Sequence, residues 1–292
     1  MKMPLLGTIR SGKISIVHPN KSGKGAFMQK QLDQSWKGWV KENLGLGIHK
    51  LEVAKTLMQH RFDVEAIKAE LELPDLFRTC PVKIDPAKIE SLQGVSRLHP
   101  TFNIFEIKNF IDPQQCKIAC DMIRFSANPS TVGSDRETAY DTSRTSMTAY
   151  FQNPDYDFSP ILAIEDKVQL LAGIELLYSE PIQGQWYKPG QEFKQHFDAF
   201  TSDKETVQYY GNRPWTAMIY LNDVEEGGAT GFPAIAQAMT PTVGKLILWE
   251  NTNNGVIIPE SSHAGEPVVK GEKFILTKWF REKEWPYSLP RK

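Results

Sequence analysis

An α+β chain, with helices leading into an antiparallel sandwich or jelly-roll barrel, is what this sequence predicts. Three observations carry the prediction. From residue 173 onward the chain is a series of short β-rich runs, "GIELLYS", "IQGQWY", "PWTAMIYLN", "KLILWE", "VIIP", "PVVKG" and "KFILTKWF", punctuated by Gly, Pro and Asn. Runs of that length and spacing are the mark of sandwiches and barrels. Two segments of helical period stand ahead of them, and a separate helical stretch occupies residues 31–75. With 292 residues, 40% of them hydrophobic and 24% charged, the chain can bury a large core without disulfides or a structural metal.

Taken in order, residues 1–30 hold six Lys or Arg and no acid. They read as a basic flexible arm, or as a contact strip for an acidic partner. In 31–75, Trp36, Trp39 and Val40 fall at i, i+3 and i+4. Leu51, Ala54, Leu57 and Met58 share one face, and Val64, Ile67 and Leu71 continue a second. Asp63 is placed to cap the last of these helices. The segment is a small helical module, either a packing element or a docking piece for a partner. Residues 76–97, with Pro81 and Pro86, read as a linker. After it, "TFNIFEIKNFI" reads as a strand and turn. Asp112 caps a helix that has Pro113 at its first position. The polar stretch 127–146 reads as a long loop able to close over a site. Ile161, Ile164, Val168, Leu171 and Ile174 then mark one buried face of a further helix. From residue 98 the texture changes, and 98–285 is expected to be one domain with its core at 180–282, bounds that rest on the resemblance given below.

The composition excludes several classes. A net charge of −1 argues against a nucleic-acid partner. No apolar run approaches the length of a membrane-spanning helix, and the apolar stretch near the first residue is too short for a secretory signal. Cys80, Cys116 and Cys120 are too few for a disulfide scaffold. Cys116 and Cys120 fall on one helix face as small buried side chains, so a reduced, cytoplasmic setting is expected.

The histidines are few, and two of them stand in the β-rich region. His196 precedes Asp198 by two residues in "YKPGQEFKQHFDAF". On a strand those two side chains point the same way. His263, in "SSHAGEPVVKGEKF", lies several strands later, a separation that a jelly roll can close. Two histidines and a carboxylate form a facial triad, which grips one face of a ferrous ion and leaves three positions open. A bidentate 2-oxo acid and dioxygen would fill them. His-x-Asp alone is common and equally describes a structural histidine beside an acid. Lys273 adds a second signal, because a buried lysine there would pair with the far carboxylate of a 2-oxo dicarboxylic acid; otherwise it is a solvated strand residue.

The ordered motifs "YKPGQEFKQHFD", "RPWTAMIYLNDVEEGGATGFP", "PTVGKLILWEN" and "SSHAGEPVVKGEKFILTKWF" resemble the 2-oxoglutarate- and iron(II)-dependent dioxygenases of the prolyl 4-hydroxylase type. "DTSRTS" at 141–146 and "IELLYSEPIQ" at 174–183 resemble that family's upstream segments. The resemblance covers residues 98–285. It implies a double-stranded β-helix core, with His196, Asp198 and His263 as catalytic iron ligands and Lys273 on the distal carboxylate of 2-oxoglutarate. Tyr187 and Thr230 match positions that hydrogen-bond the cosubstrate, and Tyr220 lines the same pocket. Arg213 and Trp279 match positions near the peptide substrate. The chain departs from the family at Phe193, three residues before the first ligand, where prolyl hydroxylases often carry a tyrosine that contacts substrate. That loss of a hydroxyl bears on prolyl specificity and not on the iron chemistry.

The resemblance implies hydroxylation of an unactivated C–H bond, with 2-oxoglutarate leaving as succinate and carbon dioxide. Fe(II), 2-oxoglutarate and O2 are the implied cofactors, with ascorbate as a reductant. A prolyl residue in a peptide or protein is the expected substrate. Another amino-acid side chain or a free small molecule is the alternative. Two further classes compete: a catalytically silent jelly-roll binding protein, and a zinc hydrolase built on the same triad. Asp198 leaves no vacant ligand position for a halide, which disfavours a halogenase.

Overall fold

Four of the described helices start at an aspartate whose side chain accepts from the first turn. The computed structural model describes residues 31–60, 62–73, 83–130, 143–151, 153, 155–201, 206–207 and 210–285. The chain divides into two units, residues 1–78 with 289–292, and residues 79–288. In the first unit Asp33 caps helix α1 (Gln34–Gly45), taking the Trp36 N–H. Helix α2 (Lys50–Gln59) follows. Asp63 caps helix α3 (Val64–Leu71) by accepting from Glu65 and Ala66 N–H, as the sequence predicts. Trp36 meets Trp39 and Phe62 edge-on, with ring centres 5.4 and 5.0 Å away. Val53, Ala54, Leu57, Ile67 and Leu71 are buried. The expected basic arm, residues 1–30, lies outside the described residues.

The second unit opens with structure where a linker was expected. Asp85 caps helix α4 (Pro86–Glu90), and β1 (Val95–Arg97) pairs with β2 (Ile104–Ile107) as the edge of a sheet. Pro86 occupies the first helical turn, where a missing N–H costs nothing. Asp112 and Gln115 form a reciprocal capping box on helix α5 (Pro113–Ser126). Next come β3 (Asn128–Pro129) and β4 (Met147–Tyr150), which pair with each other; residues 131–142 of the expected loop lie outside the described residues. Helix α6 (Ser159–Ala172) ends at Gly173 with φ 66°.

The strands that follow are β5 (Gln183–Tyr187), β6 (Phe193–His196), β7 (Trp215–Tyr220), β8 (Glu226–Gly227), β9 (Thr230–Phe232), β10 (Gln237–Met239), β11 (Leu246–Glu250), β12 (Thr252–Asn253), β13 (Val256–Ile257), β14 (His263–Gly265), β15 (Val268–Lys270) and β16 (Lys273–Phe280). The large sheet runs β1-β2-β11-β7-β16-β5-β4-β3, and a small sheet runs β10-β9-β14-β6. Every pairing is antiparallel.

Alternation along the large sheet separates two cores. Ala217, Ile219, Leu246, Leu248, Phe274, Leu276 and Phe280 face α5 and α6, where they meet Cys116, Cys120, Ile123, Ile161, Ile164 and Val168. Tyr187, Met218, Tyr220, Ile247, Trp249 and Ile275 face the other way and pack with Phe232 and Met239 of the small sheet. Two sheets that share a core in this way make the jelly roll that was expected. Because both faces of the large sheet are covered, its strands read as continuous apolar runs; all eight residues of β16 are buried. Lys278, on the helix side, is charge-paired with Glu165 of α6, and Glu165 also accepts the Ile182 N–H. That ion pair ties α6 to the middle of the sheet.

One expected strand is a turn. In "GIELLYS", Leu176–Tyr178 form a 3-10 turn, with Tyr178 N–H on Glu175 O and the Ser179 hydroxyl on Leu176 O. The run is apolar but lacks a period of two, and here the chain passes from α6 to β5. The "GGATGFP" segment depends on glycine. Gly227 sits at φ +77°, and a Cβ there would lie 2.4 Å from the Pro267 carbonyl oxygen, so β8 can pair with β15 only through glycine.

Candidate active site

The register of the small sheet brings the two histidines together. His196 and His263 are direct partners in the β6–β14 ladder, and their rings stand 4.3 Å apart. The His196 Nδ1 is 2.8 Å from Lys194 O, and the His263 Nδ1 is 2.9 Å from Ser261 O. A carbonyl only accepts, so each neutral imidazole holds its proton on Nδ1 and offers the Nε2 lone pair. Burial pushes His263 down to about 4, which keeps it neutral at pH 7. Its ring is packed by Phe232 (5.4 Å, stacked) and Trp249 (5.0 Å, edge-on).

Asp198 departs from the strand position predicted for it. β6 ends at His196, and Asp198 lies in the bend that follows. The bend is pinned by Asn212, which accepts the Phe200 N–H and donates to Phe200 O. Asp198 therefore turns inward by way of the bend and not by strand alternation. Its Oδ1 is 3.7 Å from His196 Nε2, and its Oδ2 is 3.8 Å from His263 Nε2. Burial opposes the charge, yet His263, His196 and Arg213 hold the carboxyl well below the usual carboxylate range. These separations are too long for hydrogen bonds. One candidate ligand atom from each residue lies within 4.8 Å of the other two, so a single cation can touch all three.

Behind the triad, Lys273 opens β16 opposite Tyr187 of β5. It is 1% exposed, and its Nζ reaches Thr230 Oγ1 at 3.5 Å. Among the described residues no carboxylate lies within ion-pair distance of it, and burial pushes it down to about 7. The Nζ stands 5.2 and 5.6 Å from the ring centres of Tyr187 and Tyr220. The Tyr220 hydroxyl is bonded to Thr230 Oγ1 (2.7 Å) and Met239 O (2.8 Å), so it fixes Thr230 in place. Lys273, Thr230 and Tyr187 line the same pocket as the triad. This donor set fits a carboxylate-bearing ligand, because a buried ammonium needs an anion.

Of the two residues expected near a substrate, Trp279 lines the pocket, whereas Arg213 is not among the lining residues and lies against Trp279 and the Asp198 backbone. The Arg213 guanidinium is forked onto Glu180, and it lies over the Trp279 ring at 4.2 Å. Its Nη1 donates to Asp198 O at 3.3 Å. Phe193 stacks on His196 with ring centres 3.6 Å apart, and the Arg144 guanidinium lies 5.0 Å from the Phe193 ring centre. Arg144 and Gln185 line the pocket without having been singled out from the sequence, and Thr216 lies behind Asp198. The alternation of "PWTAMIY" would have placed Thr216 on the same face as Met218 and Tyr220. Arg144 stands in the "DTSRTS" segment.

Residues 182–281 match the 2OG-Fe(II) oxygenase superfamily. Prolyl 4-hydroxylase 13 of Arabidopsis thaliana is 32% identical over 62% of this chain and 72% of its own length. Prolyl 4-hydroxylase 1 of the same plant is 30% identical over 62% and 69%. A viral collagen prolyl hydroxylase from Paramecium Bursaria Chlorella virus-1, solved as a 2OG complex, aligns at 26% identity over 61% of this chain and 95% of that one, with a TM-score of 0.49. The chain belongs to the prolyl 4-hydroxylase family of 2OG-Fe(II) oxygenases. No described helix is long and apolar enough to cross a membrane.

Proposed function

We propose that this protein hydroxylates a prolyl residue in a peptide or protein, with His196, Asp198 and His263 holding Fe(II) and with Lys273, Thr230 and Tyr187 holding 2-oxoglutarate. The observation that carries the reading is the pairing of a two-histidine, one-carboxylate cluster with a buried lysine that has no carboxylate within ion-pair distance among the described residues. When bound, Fe(II) and 2-oxoglutarate supply the activation of O2, with succinate and carbon dioxide as coproducts.

The chain's own residues bind, orient and exclude water. The Nδ1 bonds to Lys194 O and Ser261 O aim both imidazoles. Lys273 neutralises the distal carboxylate, the Thr230 hydroxyl hydrogen-bonds it, and the Tyr187 hydroxyl adds a further contact. Phe232 and Trp249 keep water off His263. Arg144, Phe193 and Trp279 frame the mouth where the substrate enters, and ascorbate serves as reductant. Phe193, which carries no phenol, favours a second reading in which the acceptor is another side chain. Free, buried Cys116 and Cys120 support a cytoplasmic setting.

The test is succinate release from 2-oxoglutarate under air with Fe(II) and ascorbate, alone and with a panel of proline-rich peptides. Peptide-stimulated succinate, a +16 Da product and loss of both in His196→Ala are expected. Succinate without any response to a prolyl peptide would overturn the prolyl reading. No succinate from iron-loaded protein would overturn the enzyme reading.

A further inference from the structure

The Asp198 carboxylate is held from behind by two residues that touch neither pocket nor solvent. Thr216, on β7, is fully buried, and its hydroxyl lies 2.7 Å from Asp198 Oδ2. Asn251, just past the end of β11, is also fully buried, and its Nδ2 is 2.8 Å from Thr216 Oγ1. The Thr216 hydroxyl donates to Asp198 Oδ2, so its single proton is committed to the carboxylate. Asn251 must then give its N–H to Thr216, and the direction of the whole relay is fixed. The backbone holds Asn251 on both sides: its N–H donates to Pro214 O at 2.7 Å, and its carbonyl accepts the Ile258 N–H at 2.9 Å. Thr216 is placed by its pairing with Trp249 in the large sheet.

We propose that Thr216 and Asn251 are positioning residues that fix the rotation of the Asp198 carboxylate by engaging its Oδ2 from behind, and so set how that carboxylate meets a metal ion. The proposal rests on the reading of His196, Asp198 and His263 as an iron site. The relay holds the carboxylate from the side of the large sheet. Arg213, clamped by Glu180, holds the Asp198 backbone carbonyl from the side of the bend. Groups that orient a metal ligand from behind commonly govern metal affinity by about 10–100-fold.

The test is a titration of metal-free full-length protein with Co(II), following its visible absorption, together with the melting temperature of each metal-free variant. Thr216→Val keeps the shape and removes the hydroxyl, and Thr216→Ser keeps the hydroxyl. Thr216→Val is expected to bind Co(II) about 10–100-fold more weakly, with an altered band shape, while Thr216→Ser matches wild type. Wild-type affinity and spectrum in Thr216→Val would overturn the proposal. So would equal losses in Val and Ser, or a lower melting temperature in Thr216→Val with unchanged affinity. Should Thr216→Val not fold, Asn251→Leu removes the donor that directs the hydroxyl. Weaker binding there supports the relay, and unchanged binding overturns it. Failure of wild type to bind Co(II) would instead remove the metal-site reading itself.

Discussion

Replacing Lys273 with methionine should make the metal-free, cosubstrate-free protein more stable near neutral pH. The side chain is 1% exposed, its hydrogen bond to Thr230 is long at 3.5 Å, and burial pushes it from 10.5 to about 7. A gap of that size is worth at most about 5 kcal/mol, at roughly 1.4 kcal/mol per pKa unit. The sign follows from proton counts. Below about pH 7 the folded and unfolded chains both carry the proton, and folding bears the full cost of burying the ammonium. Between about 7 and 10.5 the unfolded chain binds more protons, so stability rises with pH. Above that window the lysine is neutral in both states.

Lys273→Met, of similar volume and without charge, should therefore exceed wild type by several kcal/mol at pH 6. The advantage should shrink steadily toward pH 10. Urea unfolding at each pH, with the two proteins side by side, measures it. Adding 2-oxoglutarate should stabilise wild type, which gains an anion for the ammonium, and leave Lys273→Met unmoved. A variant less stable than wild type at pH 6, or a difference that ignores pH, would refute the reasoning, because it would mean that the ammonium is already paired or hydrated.

Three other outcomes are expected. Tyr220→Phe removes the bonds to Thr230 and Met239; it should lower stability by about 1–3 kcal/mol and raise the KM for 2-oxoglutarate with a smaller change in kcat, read by urea unfolding and steady-state kinetics. Phe193→Tyr restores a phenol at the pocket mouth and should lower the KM for a prolyl peptide roughly 3–10-fold, measured on the most responsive peptide of the panel. Gly227→Ala places a methyl 2.4 Å from the Pro267 carbonyl at a positive φ, and should cost about 1–3 kcal/mol in thermal unfolding.

The large sheet was legible because both its faces are buried, which turns "PWTAMIYLN", "KLILWE" and "KFILTKWF" into apolar runs that resist any other reading. The small sheet was not. β6, β9, β10 and β14 have at most four residues each and mix Gly, Ala, His, Thr, Gln and Lys with an occasional Phe or Met; only their partners make them strands. The same lack of local pattern made 76–97 look like a linker, although within it β1 acquires its structure from β2. "GIELLYS" misled in the opposite direction, since its apolar content serves burial of a turn. The candidate site was legible where chemistry demands particular residue types: His196, Asp198, His263 and Lys273 stand out by kind. Thr216 and Asn251 did not, because a threonine in a strand and an asparagine after one are ordinary until the fold sets them in line behind a carboxylate.

The eight residues of β16 act as a measuring rod. Lys273 at one end and Trp279 near the other line the same pocket, six strand steps apart, or about 20 Å along the strand. Phe274, Leu276 and Phe280 meanwhile serve the helix-side core. Deleting one residue from the middle of this strand would exchange its two faces beyond the deletion, sending pocket groups into the helix core and core phenyls into the pocket. Loops at the pocket mouth can change length as substrates change. The length of β16 cannot, because folding and chemistry count along the same strand.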